Sequence, residues 1–267
     1  MQRKLRKLFV EEQKTAKQIG KIIGLTTNQV YGQLYRYGIR KNKPRLTQWF
    51  NNNLKNLTDE EIYLLGFLWA DGYLNSKNTT TNNYHNLQCQ ITYDDYLDIE
   101  LIFSKTGKWG KYIKEASRKK GVVRQKSVIL TISDISLTGL LCSLDFDKKS
   151  HICPTKLLKK IPKNKFYLFY RGYSDGDGCF YITNKAKQFS ISGTYEQNWS
   201  HIENLFRELA IKKYKIQKSI SKLGHRSSKI RVSNLIDIKK IANYLYQDKL
   251  DIGLKRKRAK IDNYIDD

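Results

Sequence analysis

Acidic residues are scarce in this chain of 267 residues: 25 Asp and Glu stand against 50 Lys and Arg, giving a formal net charge of +25. A protein so short of negative charge is expected to meet an extended polyanion. Cysteine is also sparse. Cys89, Cys142, Cys153 and Cys179 form no CxxC pair, so neither a disulfide framework nor a zinc knuckle is indicated, and His151 with Cys153 lacks a second ligand pair. No apolar run reaches membrane-spanning length, and no signal-like apolar core follows Met1-Gln2-Arg3-Lys4-Leu5-Arg6. An intracellular place of action, in cytoplasm, nucleoid or organelle matrix, is the expectation. The length allows one large domain or two to three small ones.

What the chain does contain is a pattern written twice. Leu64-Leu65-Gly66-Phe67-Leu68-Trp69-Ala70-Asp71-Gly72 and Tyr170-Arg171-Gly172-Tyr173-Ser174-Asp175-Gly176-Asp177-Gly178 are helical runs with small residues four apart. Gly66 with Ala70, and Gly172 with Gly176, each lie on one helix face. Two such faces let two backbones approach closely and pack as a shared spine. The glycine after each run suits a left-handed helix cap, so each helix should end with its Asp in the last turn. Asp71 and Asp177 then sit side by side, where two carboxylates at helix C-termini repel. A hard divalent cation, bound through oxygen only, resolves that conflict.

At these residues the chain resembles the LAGLIDADG homing endonucleases, in the single-chain form with two motif copies, over roughly residues 59 to 267. The first copy departs from the pattern at Trp69, where an acidic residue is common. The resemblance implies Asp71 and Asp177 as catalytic metal-binding acids, with Ala70 and Gly176 beside them in the metal site. Mg²⁺ is the implied cofactor, with Mn²⁺ as the alternative. It also implies a lysine after the last helix of each half, a role carried onto Lys149 and Lys255, with Lys148 and Lys257 as neighbours of similar credentials.

The implied fold class is α+β: duplicated αββαββα halves forming a pseudo-twofold saddle of antiparallel sheets, plus a small all-α N-terminal module. Residues 1–40 are expected as a helix-turn-helix-like module, 41–58 as a basic linker, 59–160 and 161–267 as the two halves. In the module, Ile19, Ile22 and Ile23 make one apolar face, Gly24 permits a turn, and Thr26 caps a second helix with Val30 and Leu34 inside. Asn28, Gln29, Gln33 and Arg36 are then expected outward, toward DNA. Thr58 and Glu61 form a capping-box signature before the first motif helix. Strand alternation predicts hairpins over 73–93 and 108–133, then 180–194 and 214–233. Helices are expected near 95–105, with Leu97, Leu101 and Ile102 on one side, then at 135–144, 199–209 and 236–246.

The hairpins carry clustered basic residues expected on the open sheet faces: Lys111, Lys114, Arg118, Arg124 and Lys126 in one half, Lys213, Lys215, Lys218, Arg226, Lys229 and Arg231 in the other. Lys and Arg there neutralise phosphates while amides and hydroxyls read bases. The resemblance implies a monomer that makes a double-strand break in a long asymmetric site of double-stranded DNA, one strand per half. A non-catalytic DNA-binding regulator and an RNA-splicing maturase that binds intron RNA are the alternatives on the same scaffold. The chain neither starts with the Cys or Ser of an intein nor ends in His-Asn, so a free-standing enzyme encoded in an intron or between genes is expected.

Overall fold

A computed structural model describes residues 1–12, 14–39, 47–77, 84–116, 125–183, 186–248 and 250–262. They fall into two compact units, Met1–Leu46 and Thr47–Asp267. In the first unit α1 (Gln2–Arg6) runs on as a π-helical turn, Lys7–Glu11, ahead of α2 (Ala16–Ile23) and α3 (Thr27–Arg36). Both α2 and α3 start with a capping box, Thr15 with Gln18 and Thr26 with Gln29. Gly24 between them is left-handed, with φ +71°. Leu5, Leu8, Ala16, Ile19, Val30 and Leu34 form the core of this unit, so α1 closes a three-helix bundle. Ile22 is nearly half exposed and does not belong to that core, contrary to the expected face.

The second unit opens with β1 (Gln48–Trp49), which pairs antiparallel with β4 (Gly107–Lys108). Residues 47–57, expected as part of a basic linker, are therefore packed structure. Trp49 is buried and its indole N–H donates to Glu61, which also accepts from Asn51 and the Thr58 backbone. Residues 40–46 lie outside the described residues.

Next come α4 (Asp59–Asp71), β2 (Gly72–Lys77), β3 (Tyr84–Thr92), α5 (Tyr93–Thr106), β5 (Gly110–Ala116), β6 (Gln125–Ile132) and α6 (Ile135–Ser143). A short α7 (Thr155–Leu158) leads to the second round: α8 (Phe166–Asp177), β7 (Gly178–Ile182), β8 (Lys187–Thr194), α9 (Ser200–Glu208), β9 (Lys215–Ile220), β10 (Arg226–Val232), α10 (Leu235–Leu245) and α11 (Lys255–Arg258). The two four-stranded sheets have matching antiparallel orders, β2-β3-β6-β5 and β7-β8-β10-β9. Register makes the equivalence explicit. Gly72 pairs with Cys89 as Gly178 pairs with Ile191, and Cys89 pairs with Leu130 as Ile191 pairs with Ile230. The offset between halves is thus 106 residues at the motif helices, 102 at the second strands and 100 at the fourth. The helix between the hairpins also differs, 14 residues in α5 against 9 in α9.

One face of each sheet packs on helices and enters a single core built around α4 and α8. The inner face of α5 is Tyr96, Ile99, Ile102 and Phe103, while Leu97 and Leu101 are exposed, a correction to the expected side. Helical spacing from Tyr96 through Ile99 and Phe103 accounts for the difference, because an i, i+3, i+7 stripe holds the larger rings inside. The other sheet faces stay open, as antiparallel sheets allow.

Candidate nuclease site

Both motif helices are notched along their length, and α4 is also capped at its start. Thr58 accepts from the Glu61 backbone N–H in a capping box, and Asp59, Glu60 and Glu61 occupy the positive end of α4. Along the α4–α8 contact, a methyl on Gly66 would lie 1.9 Å from the Phe169 carbonyl oxygen, and one on Gly172 would lie 2.0 Å from that of Tyr63. Only glycine allows backbone to meet backbone there. Nearer the C-termini, a methyl on Gly176 would lie 2.3 Å from Ala70 Cβ and 3.1 Å from Asp71 Oδ2. Asp71 and Asp177, the last residues of the two helices, are thereby held side by side.

The glycines that follow are not left-handed caps. Gly72 (φ −77°, ψ 155°) and Gly178 (φ −85°, ψ 158°) are already strand residues. Their requirement is proximity: a Cβ would lie 2.6 Å from Leu68 O and 2.5 Å from Ser174 O. Helix passes directly into strand, leaving each Asp on rigid backbone with no loop between.

Two lysines complete the helix ends. Lys149 Nζ donates to Trp69 O at 2.7 Å and Ala70 O at 2.5 Å; Lys257 Nζ donates to Ser174 O at 2.8 Å, Asp175 O at 2.5 Å and Gly178 O at 2.7 Å. Cations at helix C-termini meet the orphan carbonyls and the negative end of the dipole. The structure thus pairs Lys149 with Lys257, not with Lys255, whose exposed side chain stands outside while its backbone N–H donates to Asp98. On the short α11, Lys255 and Lys257 point to opposite sides, which sequence adjacency could not reveal.

The equivalence extends one step further. Trp69 and Asp175 occupy matching places, and each touches the residue three positions before its half's lysine. Trp69 packs edge-on against Phe146 with ring centroids 5.6 Å apart, and Asp175 accepts from the Leu254 backbone N–H at 2.9 Å and from Tyr63 Oη–H at 2.7 Å. An apolar contact in one half is replaced by buried hydrogen bonds in the other. Nearby, the fully buried Arg171 donates to Leu245 O, Ile252 O and Asp248, tying the segment before Lys257 to α8.

Electrostatically the pair is tense. Burial, and after it the charge of Asp71, pushes Asp177 up to about 6. Burial also raises Asp71, against the pull of Lys149 and Lys257. Burial lowers Lys149 to about 8, resisted by Asp177 and Asp71. Trp69, Ala70, Lys149, Tyr173, Asp177, Gln197 and Arg226 line an open cavity of about 360 Å³, which brings Asp177 and Lys149 to one opening. The donor set fits a hard cation: oxygen ligands only, with net repulsion for a divalent ion to relieve. Ala70 O is engaged by Lys149, so the carboxylates offer more than that carbonyl. Among the described residues no cluster of three His, Cys, Asp or Glu is present.

The basic strand residues divide between two faces. Period-two alternation puts Lys114, Lys215, Lys229 and Arg231 on the open faces, register partners of Ser127, Arg231, Gln217 and Lys215. Lys111 and Lys218 on the edge strands, and Lys126 and Arg226 at the starts of the inner strands β6 and β10, alternate to the other side. There they meet carboxylates or rings: Lys111 with Glu100, Lys126 with Glu115, Lys218 and Arg226 with Glu196 and the Tyr195 ring. Lys213 is exposed just before β9. Arg118 and Arg124 lie outside the described residues. On the open face of the first half, Asn75, Gln88 and Thr131 form a hydrogen-bonded row, with Gln90 bonded to Ser127. Alternation around Leu87, Cys89 and Ile91 carried the signal for those amides.

In the amino-terminal unit, Asn28 and Arg36 are exposed, Gln29 spends its amide oxygen on the Thr26 cap, and Gln33 is half-buried with Oε1 covered and unpartnered. Of the four expected reading residues, Gln29 is thus engaged in a helix cap through its oxygen and Gln33 is partly covered.

No protein-family model matches the chain, and no curated protein matches it. Solved structures do. The homing endonuclease I-WcaI bound to its DNA recognition sequence superposes with a TM-score of 0.51 at 15% identity, over 90% of this chain and 96% of that one. The LAGLIDADG meganuclease I-AabMI bound to uncleaved DNA gives 0.47 at 12% identity over 78% and 89%, and the N-terminal LAGLIDADG domain of WhiA gives 0.41 at 14% over 74% and 91%. No helix among the described residues is long and apolar enough to cross a membrane. With its duplicated sheets and its twin helices ending in Asp71 and Asp177, the chain has the fold of the LAGLIDADG homing endonucleases, in the single-chain form with two motif copies.

Proposed function

We propose that this protein is a site-specific endonuclease of double-stranded DNA, acting as a monomer and cutting one strand with each half. The observation that carries the proposal is the placement of two carboxylates, Asp71 and Asp177, side by side at the ends of α4 and α8, with Asp177 and Lys149 lining a cavity. A fold that needed only packing would have no use for an acid raised by its own burial and by a second carboxylate beside it. Asp71 and Asp177 are the residues that would hold a divalent cation, Mg²⁺ or Mn²⁺. Such an ion supplies Lewis-acid polarisation of the phosphodiester and a more acidic bound water.

The chain's own groups do the rest. Lys149 keeps a positive charge at the cavity, where negative charge builds on the phosphate. Lys257, buried with three carbonyls, fixes the end of α8 and so the position of Asp177. Asn75, Gln88, Gln90, Lys114, Lys215, Lys229 and Arg231 contact bases and phosphates from the open faces. Asn28 and Arg36 of the amino-terminal unit add contacts beyond the cut site.

Incubation with a pool of DNA from the source genome, in Mg²⁺ and in EDTA, tests this reading. Discrete metal-dependent ends that vanish in Asp177→Asn are expected. Retention of discrete fragments without cutting by the intact protein would instead make it a DNA-binding regulator.

A further inference from the structure

The two open sheet faces carry different chemistry at matching places. Register sets Ser190 and Ser192 of β8 where β3 has Gln88 and Gln90, and Lys229 and Arg231 of β10 where β6 has Ile129 and Thr131. Cross-strand pairs are exchanged as units. Gln88 opposite Thr131 and Gln90 opposite Ile129 in the first half become Ser190 opposite Arg231 and Ser192 opposite Lys229 in the second.

In the first half the long polar side chains are amides, and hydrogen bonds hold them. Gln88 Oε1 accepts from Asn75 Nδ2 at 2.9 Å while its Nε2 donates to Thr131 Oγ1 at 3.0 Å, and Gln90 Nε2 donates to Ser127 Oγ at 3.1 Å. An amide has two N–H groups and two lone pairs on its oxygen, so each glutamine keeps a donor and an acceptor. Adenine presents the complement in the major groove, the N6 donor beside the N7 acceptor. Ile129, opposite Gln90, adds the apolar surface that suits a thymine methyl.

In the second half the long polar side chains at these places are cations. Arg231 stands directly opposite Lys215, Lys229 stands opposite Gln217, and none of the four strands contains an Asp or Glu. Like charges directly opposite each other weaken a sheet, a cost that an acceptor-rich partner removes. Lysine and arginine have donors and no acceptor, so they cannot take the N6 hydrogen of adenine. Guanine, with O6 and N7 both acceptors, is the base they fit.

We propose that the two halves read bases of different kinds: the first sheet reads adenines through Gln88 and Gln90, and the second reads guanines through Lys229 and Arg231. The target is then a duplex with one A·T-rich half-site and one that carries G·C pairs. This rests on the DNA-binding part of the function proposed above, not on cutting.

Selection of duplexes bound by the full chain from a random-sequence library of double-stranded DNA, in EDTA and read by sequencing, tests it. Preferences of about tenfold or more are expected at the positions under these four side chains. Arg231→Thr is expected to erase one G·C preference and leave the A·T half unchanged. Gln88→Ser with Thr131→Arg installs the second half's pair in the first, and is expected to convert one A·T preference to G·C. Enrichment of such a site by a chain that cuts no duplex keeps the inference and refutes the endonuclease reading; a chain that cuts a site with G·C pairs in both halves, or in neither, does the reverse. If Arg231→Thr weakens every duplex alike, its contact is a phosphate and the assignment is overturned, as it is if the selection enriches no sequence.

Discussion

Replacing Gly66 by alanine tests the link between helix packing and the carboxylate pair. The added methyl would start 1.9 Å from the Phe169 carbonyl oxygen. A carbon beside a carbonyl oxygen normally rests at about 3.3 Å, so the helices must part by more than about 1 Å. The obstacle is backbone, which no change of rotamer can remove. Overpacking of this kind costs about 3 kcal/mol or more, against about 1 kcal/mol returned by alanine's better helix propensity. A net loss of about 2 kcal/mol is expected. Gly139→Ala in α6, where a methyl meets nothing within 4 Å, is the control and should gain up to about 1 kcal/mol. All four tryptophans, at 49, 69, 109 and 199, belong to the second unit. Urea unfolding followed by their fluorescence therefore reads this unit alone. Parting the helices also parts Asp71 from Asp177, and a displacement near 1 Å lowers a positioned reaction about 100-fold. If Gly66→Ala unfolds at the same urea concentration as Gly139→Ala, the notch does not hold the helices and the reasoning fails.

Asp177→Asn is expected to stabilise the protein in EDTA at pH 8, by relieving a buried like-charge pair. The sign follows from a carboxyl near 6 in the native state against 3.8 as the ordinary value: the native form holds its proton more tightly. That contribution to stability is full below about pH 4 and is lost as pH rises through about 6, so the variant's advantage should vanish near pH 4. Added Mn²⁺ should reverse the order at pH 8, read as melting temperature. Lys257→Met leaves three carbonyls unpaired and should cost about 3 kcal/mol in urea unfolding, whereas Lys255→Met should stay within about 0.5 kcal/mol. Removing residues 1–46 should weaken retention on the target and flatten its salt dependence while cutting persists, measured by filter binding at several ionic strengths.

The elements near the site were legible because each rested on local rules. Paired small residues four apart announced the α4–α8 spine, and Thr58 with Glu61 announced where α4 begins. Other features depend on contacts between distant segments. Nothing around Gly72 distinguishes a left-handed cap from a glycine squeezed by Leu68 O; the difference is made by the strand that follows at once. Lys257 is separated from the helix it closes by 79 or more positions, and only the turn of α11 selects it over Lys255. The lysines of β5 and β9 could not be sorted by face because these edge strands lack the buried alternation that marks an inner face. Register with β6 and β10 sorts them. At residues 47–57, asparagines and a cationic neighbourhood masked the single signal that mattered, Trp49, whose indole is anchored to Glu61.

The place of Lys257 in the chain has a bearing on biosynthesis. Asp177 leaves the ribosome with its helix unclosed, since Leu254 and Lys257, which bond Asp175 and the end of α8, are made about eighty residues later. A nascent or prematurely terminated polypeptide that stops short of Leu254 holds both acids without the clasp that fixes the second. Assembly of the paired carboxylates is thereby tied to translation of residues 254–257.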